Sequence, residues 1–217
     1  MHGYPIELDL RRKKVLVVGL GSVGLRKVRG LLDAGAIVMG VDPRLDLVVP
    51  TEIEHIIDKF QPLHLEGVSL AFAAATPSVN VEVVNHSRRL GVWVNAASEP
   101  DSGDFSVPAV WREGCVTVSV ATSGASPALA RTLRDRAGKA MQNGPALAAL
   151  LLEMRLLVMS RLADSEARRR LLSDWGGSHW LDVWSTAGPE VVKATWLQEL
   201  EETVESASLL HARQELS

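Results

Sequence analysis

The strongest chemical signal in the chain is the six-residue segment Gly19-Leu20-Gly21-Ser22-Val23-Gly24, which follows the apolar run Val15-Leu16-Val17-Val18 and opens a stretch with helical spacing. In such a turn the three glycines have separate tasks. Gly19 allows the tight turn, Gly21 lets a pyrophosphate approach the backbone, and Gly24 lets helix and strand pack closely. A helix opening at Ser22 and Val23 turns its unpaired N–H groups and the positive end of its dipole toward an anion. The chemistry predicted is dinucleotide binding, with a plain structural turn as the alternative. Asp42 lies 18 residues beyond Gly24, at the end of the second apolar run. A carboxylate there accepts hydrogen bonds from the adenosine ribose and repels a 2′-phosphate, which favours NAD over NADP. Arg44 pulls the other way, and Asp42-Pro43 also reads as a turn. Ala74-Ala75-Thr76 closes the third run with small residues, so Ala75 and Thr76 join the candidate cofactor contacts.

Residues of this kind need a sheet to hold them. Apolar runs over Val15–Val18, Ala36–Val41, Leu70–Ala75, Gly91–Asn95 and Val116–Ala121 suit parallel strands covered on both faces. Between the first two, Val23, Val28, Leu31 and Leu32 share a helical face. The alternation predicts an α/β fold: a Rossmann-like, doubly wound parallel sheet over residues 1–123, then an all-helical C-terminal region over 124–217. In the second part, Ser126-Pro127 reads as an N-cap and first helical residue. An apolar helix follows from about Pro145 to Leu162, and Pro189 starts a last helix with Val192, Trp196, Leu200 and Val204 on one face. Four of the six tryptophans, Trp175, Trp180, Trp184 and Trp196, fall in this part and predict a separate packing unit that also serves a homodimer interface.

Composition narrows the partners. The 217 residues carry 23 Lys plus Arg against 26 Asp plus Glu, a net charge of −3, which argues against nucleic acid. No apolar run approaches the ~18 to 20 residues of a membrane span. Met1 to Pro5 shows no basic stretch leading into an apolar core, so no secretory signal is expected. A single cysteine, Cys115, excludes an internal disulfide and a cysteine zinc site, and it reads as strand packing. Together these features predict a cytoplasmic protein.

The glycine turn extends to Arg26-Lys27, Leu31-Leu32 and Gly35-Ala36 and is preceded by Pro5-Ile6 and Leu10; this opening resembles that of the precorrin-2 dehydrogenase / sirohydrochlorin ferrochelatase family. Ala74-Ala75-Thr76 with Val79-Asn80, Asn95 with Phe105 and Pro108, and Ser123-Gly124-Ala125-Ser126-Pro127 with Leu129, Ala130, Leu133 and Arg134 are similar to later motifs of that family, in order. The resemblance covers residues 4–137. It implies NAD-dependent oxidation of precorrin-2 to sirohydrochlorin, on the route to sirohaem, cobalamin or haem. It also implies a homodimer, with the tetrapyrrole in a cleft formed by the Rossmann and helical parts. Bifunctional members, which also insert ferrous iron, carry an aspartate three residues after the asparagine that matches Asn95. Here that place holds Ser98, which resembles the single-function dehydrogenases; the bifunctional enzyme stays as the alternative.

The reaction needs a hydride acceptor and a route for a proton. Asp101 and Asp104, with Ser98 beside them, are the catalytic candidates; a solvated acidic loop is the alternative. A substrate rich in carboxylates calls for donors and cations, so Asn95, Ser123, Gly124, Ser126 and Arg131 are the substrate-side candidates, a solvated basic face being the alternative for the arginine. No metal site is expected, since His179 and His211 stand 32 residues apart. A competing class is the NAD-sensing regulatory module of an ion transporter, which would share the turn and Asp42 but not Arg26-Lys27 or the Ser123–Pro127 opening. The first test is Gly21→Val, expected to abolish dinucleotide binding in a fluorescence titration. A folded variant that binds normally would put the cofactor elsewhere.

Overall fold

A computed structural model describes residues 3–97 and 102–215, and the chain divides into two compact units. The first comprises Met1–Pro108 with Ser123–Ala125. It holds β1 (Lys14–Val18), α1 (Ser22–Asp33), β2 (Ile37–Val41), β3 (Glu54–Ile56), β4 (Leu70–Ala73), α2 (Pro77–Arg89) and β5 (Trp93–Ala96). All five strands are parallel, in the order β3-β2-β1-β4-β5. The apolar runs of β1, β2, β4 and β5 are nearly continuous because those strands are buried on both faces. Val15, Val17, Val38 and Phe72 pack with Val28 and Leu31 of α1, while Leu16, Val18, Ala71 and Val94 pack with Val83 and Val84 of α2. On α1 the buried stripe runs Gly24, Val28, Leu31, and Val23 is left exposed.

The second unit comprises Ala109–Thr122 and Ser126–Ser217. It opens with an antiparallel hairpin, β6 (Ala109–Glu113) and β7 (Val116–Val120), and continues with α3 (Pro127–Met141), α4 (Gly144–Arg161), α5 (Ser165–Trp175), α6 (His179–Ala187) and α7 (Pro189–Glu215). The run read as a fifth strand of the parallel sheet therefore pairs with β6 instead. Cys115 is exposed in the hairpin turn rather than packed. Trp111 of β6 lies against α3 at Gly138, where a Cβ would stand 2.6 Å from the indole. The helical core is built on tryptophan. Trp175 and Trp196 stack at 5.0 Å between ring centroids, and Trp180 meets Trp196 edge-on at 5.4 Å. Trp175 donates its Nε1–H to Glu199 at 2.6 Å. Val192, Trp196 and Leu200 are fully buried, as the four-residue spacing on the last helix requires. Among the described residues no single helix is long and apolar enough to cross a membrane.

Trp196 touches two other indoles at the centre of this core, so Trp196→Ala is expected to cost about 3 to 5 kcal/mol. Urea unfolding followed by circular dichroism measures it, and a loss below ~1 kcal/mol would contradict the packing described.

Candidate dinucleotide site

The strand order reverses between β1 and β4, and in open parallel sheets ligands bind at the carboxyl ends of the strands at such a switch point. Val18 and Ala73, paired in register, end those two strands. The glycine turn sits directly on this edge. Gly19 has φ 89°, a left-handed conformation that favours glycine. A Cβ there would stand 2.6 Å from both Ala74 O and Ala75 N, so the turn after β1 presses on the turn after β4. A Cβ on Gly24 would overlap the Gly19 carbonyl oxygen, which is why α1 lies so close to β1. Gly21 differs from both. Its φ of −70° suits any residue, and among the described residues beyond its chain neighbours a Cβ there would meet only Arg44 Nη2, at 3.9 Å. The second glycine thus borders open space on the side where a pyrophosphate is expected. Gly21 caps α1 without a side-chain hydrogen bond, and no acidic residue occupies the first turn, which leaves the amides of Ser22 and Val23 available to an anion. The residues present therefore fit a dinucleotide.

Ala75 and Thr76 are fixed by a residue whose role the motif did not reveal. Buried Asn80 accepts the Ala75 N–H on its Oδ1 at 2.9 Å, while its own N–H donates to Thr76 O at 2.9 Å. Asp42 directly follows β2, as predicted, and is buried, but its carboxylate is not free. Oδ2 accepts the Leu20 N–H at 2.8 Å, and Arg44 grips both oxygens through Nε at 2.9 Å and Nη2 at 2.8 Å. The Arg44 hydrogen bonds hold the carboxyl at about 2, against burial that acts to raise it from its ordinary 3.8. Lys27 of α1 lies over the Phe72 ring, its Nζ 5.8 Å from the centroid, and burial lowers its pKa, with Arg26 adding to the effect.

Within the first unit, Asn95 and Asp104 are engaged along β5 rather than at the glycine turn. Asn95 is buried in β5 and donates its Nδ2–H to Phe105 O at 2.8 Å. Asp104, expected to take a proton, instead accepts the Val94 N–H at 3.0 Å and Arg88 Nε at 3.3 Å. The reason is that β5 is an edge strand. Its outward backbone groups need partners, and the returning segment supplies them, with a Gly103 Cβ only 2.9 Å from Ala96 N. Ser98 and Asp101 lie outside the described residues. Ser123 (φ 48°) and Gly124 (φ 85°) turn the chain through left-handed conformations and group with the first unit. Ser126 and Arg131 belong to the second unit, where the Ser126 hydroxyl caps α3 by accepting the Leu129 N–H at 3.2 Å and Arg131 is exposed.

The Asp42 clasp makes a pH prediction. A carboxyl lowered from 3.8 to about 2 contributes stability that is present above pH ~4 and is lost as pH falls through ~2. Asp42→Asn is expected to unfold more easily at pH 7 by roughly 1 to 2 kcal/mol, with the difference shrinking between pH 4 and pH 2. A difference that stays constant down to pH 2 would contradict the clasp.

Comparison with known proteins agrees with this reading. Residues 6–109 match the family described as "Putative NAD(P)-binding". Siroheme synthase of Chromobacterium violaceum is 36% identical over 177 residues, covering 78% of this chain and 38% of that protein. Siroheme synthase 1 of Aeromonas salmonicida is 35% identical over 180 residues, with the same 78% and 38% covered. The chain thus spans less than two fifths of the length of these curated relatives. A solved structure titled "SirC, precorrin-2 dehydrogenase" superposes with a TM-score of 0.71 over 92% of this chain and 100% of that one, at 21% identity, and so shares the fold. The resemblance read from the motifs is borne out: the chain is similar over most of its length to the siroheme synthases, and its first part matches a putative NAD(P)-binding family.

Proposed function

We propose that the chain oxidises precorrin-2 to sirohydrochlorin with NAD, as a cytoplasmic homodimer. The observation that carries this reading is the glycine turn at the switch point, where Gly21 borders open space between the α1 N-terminus and Arg44, in a chain whose relatives are named siroheme synthase and precorrin-2 dehydrogenase. The oxidation removes two hydrogens from the macrocycle, one as hydride and one as a proton. A nicotinamide dinucleotide, when bound, supplies the hydride acceptor. The chain's own part is positioning, which contributes on the order of 7 kcal/mol or more when reacting atoms are held in line. NAD is taken as the dinucleotide because the residue that follows β2 is an acid, Asp42, whose charge disfavours a 2′-phosphate there. Asp101, in the sequence between Ala97 and Ser102, is the catalytic candidate proposed to take the proton, since Asp104 is engaged on β5.

One observation favours the homodimer. Leu152, Leu156 and Met159 of α4 are 54%, 73% and 48% exposed and recur at helical spacing, an apolar stripe that a second copy would cover. Cytoplasmic placement rests on the lone cysteine and on the substrate's class.

The reading is tested by anaerobic incubation with precorrin-2 and NAD, following sirohydrochlorin absorbance. Oxidation that needs both enzyme and dinucleotide is expected, and no conversion above the spontaneous rate would contradict it. Adding ferrous ion separates the two members of the family. With Ser98 where an aspartate would stand, little acceleration of iron insertion is expected, and insertion well above the spontaneous rate would establish the bifunctional enzyme instead.

A further inference from the structure

The acid that ends the second strand of a dinucleotide fold normally offers its oxygens to the ribose. In this chain those oxygens are already in use. Asp42 Oδ1 accepts the Arg44 backbone N–H at 3.1 Å and Arg44 Nε at 2.9 Å, while Oδ2 accepts the Leu20 N–H and Arg44 Nη2, each at 2.8 Å. A carboxylate has about four lone-pair positions, so four donors fill it. The pair faces outward by its cation, the Asp42 side chain being 5% exposed and that of Arg44 52%.

The guanidinium is also aimed. Among the described residues, the two chain neighbours of Gly21 aside, its Nη2 is the one atom within 4 Å of the place a Cβ on Gly21 would take, so Arg44 walls the open space above the second glycine. Of about five guanidinium N–H donors, two are spent on Asp42, and Nη1 makes no hydrogen bond to any described residue. Asp46 adds a further attraction that holds the group charged. An oriented guanidinium with spare donors beside a glycine turn matches a phosphate oxygen pair better than it matches a sugar hydroxyl.

We propose that Arg44 is a phosphate-binding residue of the dinucleotide site and that Asp42 acts through it, as a positioning residue, rather than on the ribose. This rests on the glycine turn being the dinucleotide site. The phosphate has two possible sources, the pyrophosphate common to both cofactors and the 2′-phosphate of NADP.

Calorimetric titration of the full chain with NAD and NADP, with thermal unfolding as a check on folding, tests the proposal. Arg44→Ala is expected to weaken binding by about tenfold or more. Equal loss for both cofactors assigns the pyrophosphate; loss for NADP alone assigns the 2′-phosphate. Arg44→Lys is expected to recover only part of the affinity, because a point charge does not replace the fork. If Asp42 works through Arg44, Asp42→Asn weakens binding in the wild-type background and has no further effect in Arg44→Ala. A folded Arg44→Ala chain that binds both cofactors as the wild type does would overturn the proposal. An equal effect of Asp42→Asn with and without Arg44 would overturn the positioning role. A wild-type chain that binds neither cofactor would overturn the site itself, a result distinct from either.

Discussion

No side chain fits between the backbone of Gly19 and that of Gly24. A Cβ at residue 24 would overlap the Gly19 carbonyl, and a Cβ at residue 19 would run into Ala74 and Ala75. Much of the candidate site follows from this close approach. It seats α1 on β1 with its first-turn amides at the carboxyl edge of the sheet. It also brings the turn after β4 against the turn after β1, so that Ala75 and Thr76, held by buried Asn80, lie beside the glycines. Gly21, between the two crowded positions, is the open one. Glycine at residues 19 and 24 answers to sterics within the chain, and glycine at residue 21 answers to what must come from outside.

The two compact units solve the problem of burial differently. In the first, a parallel sheet whose central strands are almost wholly apolar takes one helix on each face, and buried polar side chains such as Asp42 after β2, Asn80 on α2 and Asn95 in β5 are held by hydrogen bonds. In the second, three indoles at the centre of four helices provide the core, with Trp175 satisfying its one donor on Glu199. Ion pairs between Arg161 and Glu201, and between Lys193 and Glu153, join α4 to α7 at the surface. Exposed pairs of this kind add little beside the packing.

Periodicity and turn chemistry made much of this legible from residue order alone. The strands at residues 15–18, 37–41, 70–73 and 93–95, the glycine turn, and the helices at 145–161 and from 189 onward all carry a local pattern strong enough to survive folding. What the residue order left unread shares a cause, which is pairing that no local pattern marks. Val116–Ala121 looks like another buried parallel strand until Gly114-Cys115 is seen as a two-residue hairpin turn after Ala109–Glu113. β3 is three residues long and follows β2 through a loop without a helix, so no period marks it. Asp104 reads as a catalytic acid because nothing local shows that an edge strand will claim its carboxylate. The same holds for Asp42, whose pairing with Arg44 is local in sequence but depends on β2 ending beside the glycine turn. That short-range D-x-R spacing was the one available signal, and geometry decides whether the arginine opposes the aspartate or is held by it.

Amide hydrogen exchange with and without saturating NAD is the most direct test of whether the glycine turn is the dinucleotide site. Slower exchange confined to residues 19–24, 42–44 and 74–76, three segments distant in sequence that meet at one edge of the sheet, is the predicted result. Protection elsewhere with these three segments unchanged would contradict the account.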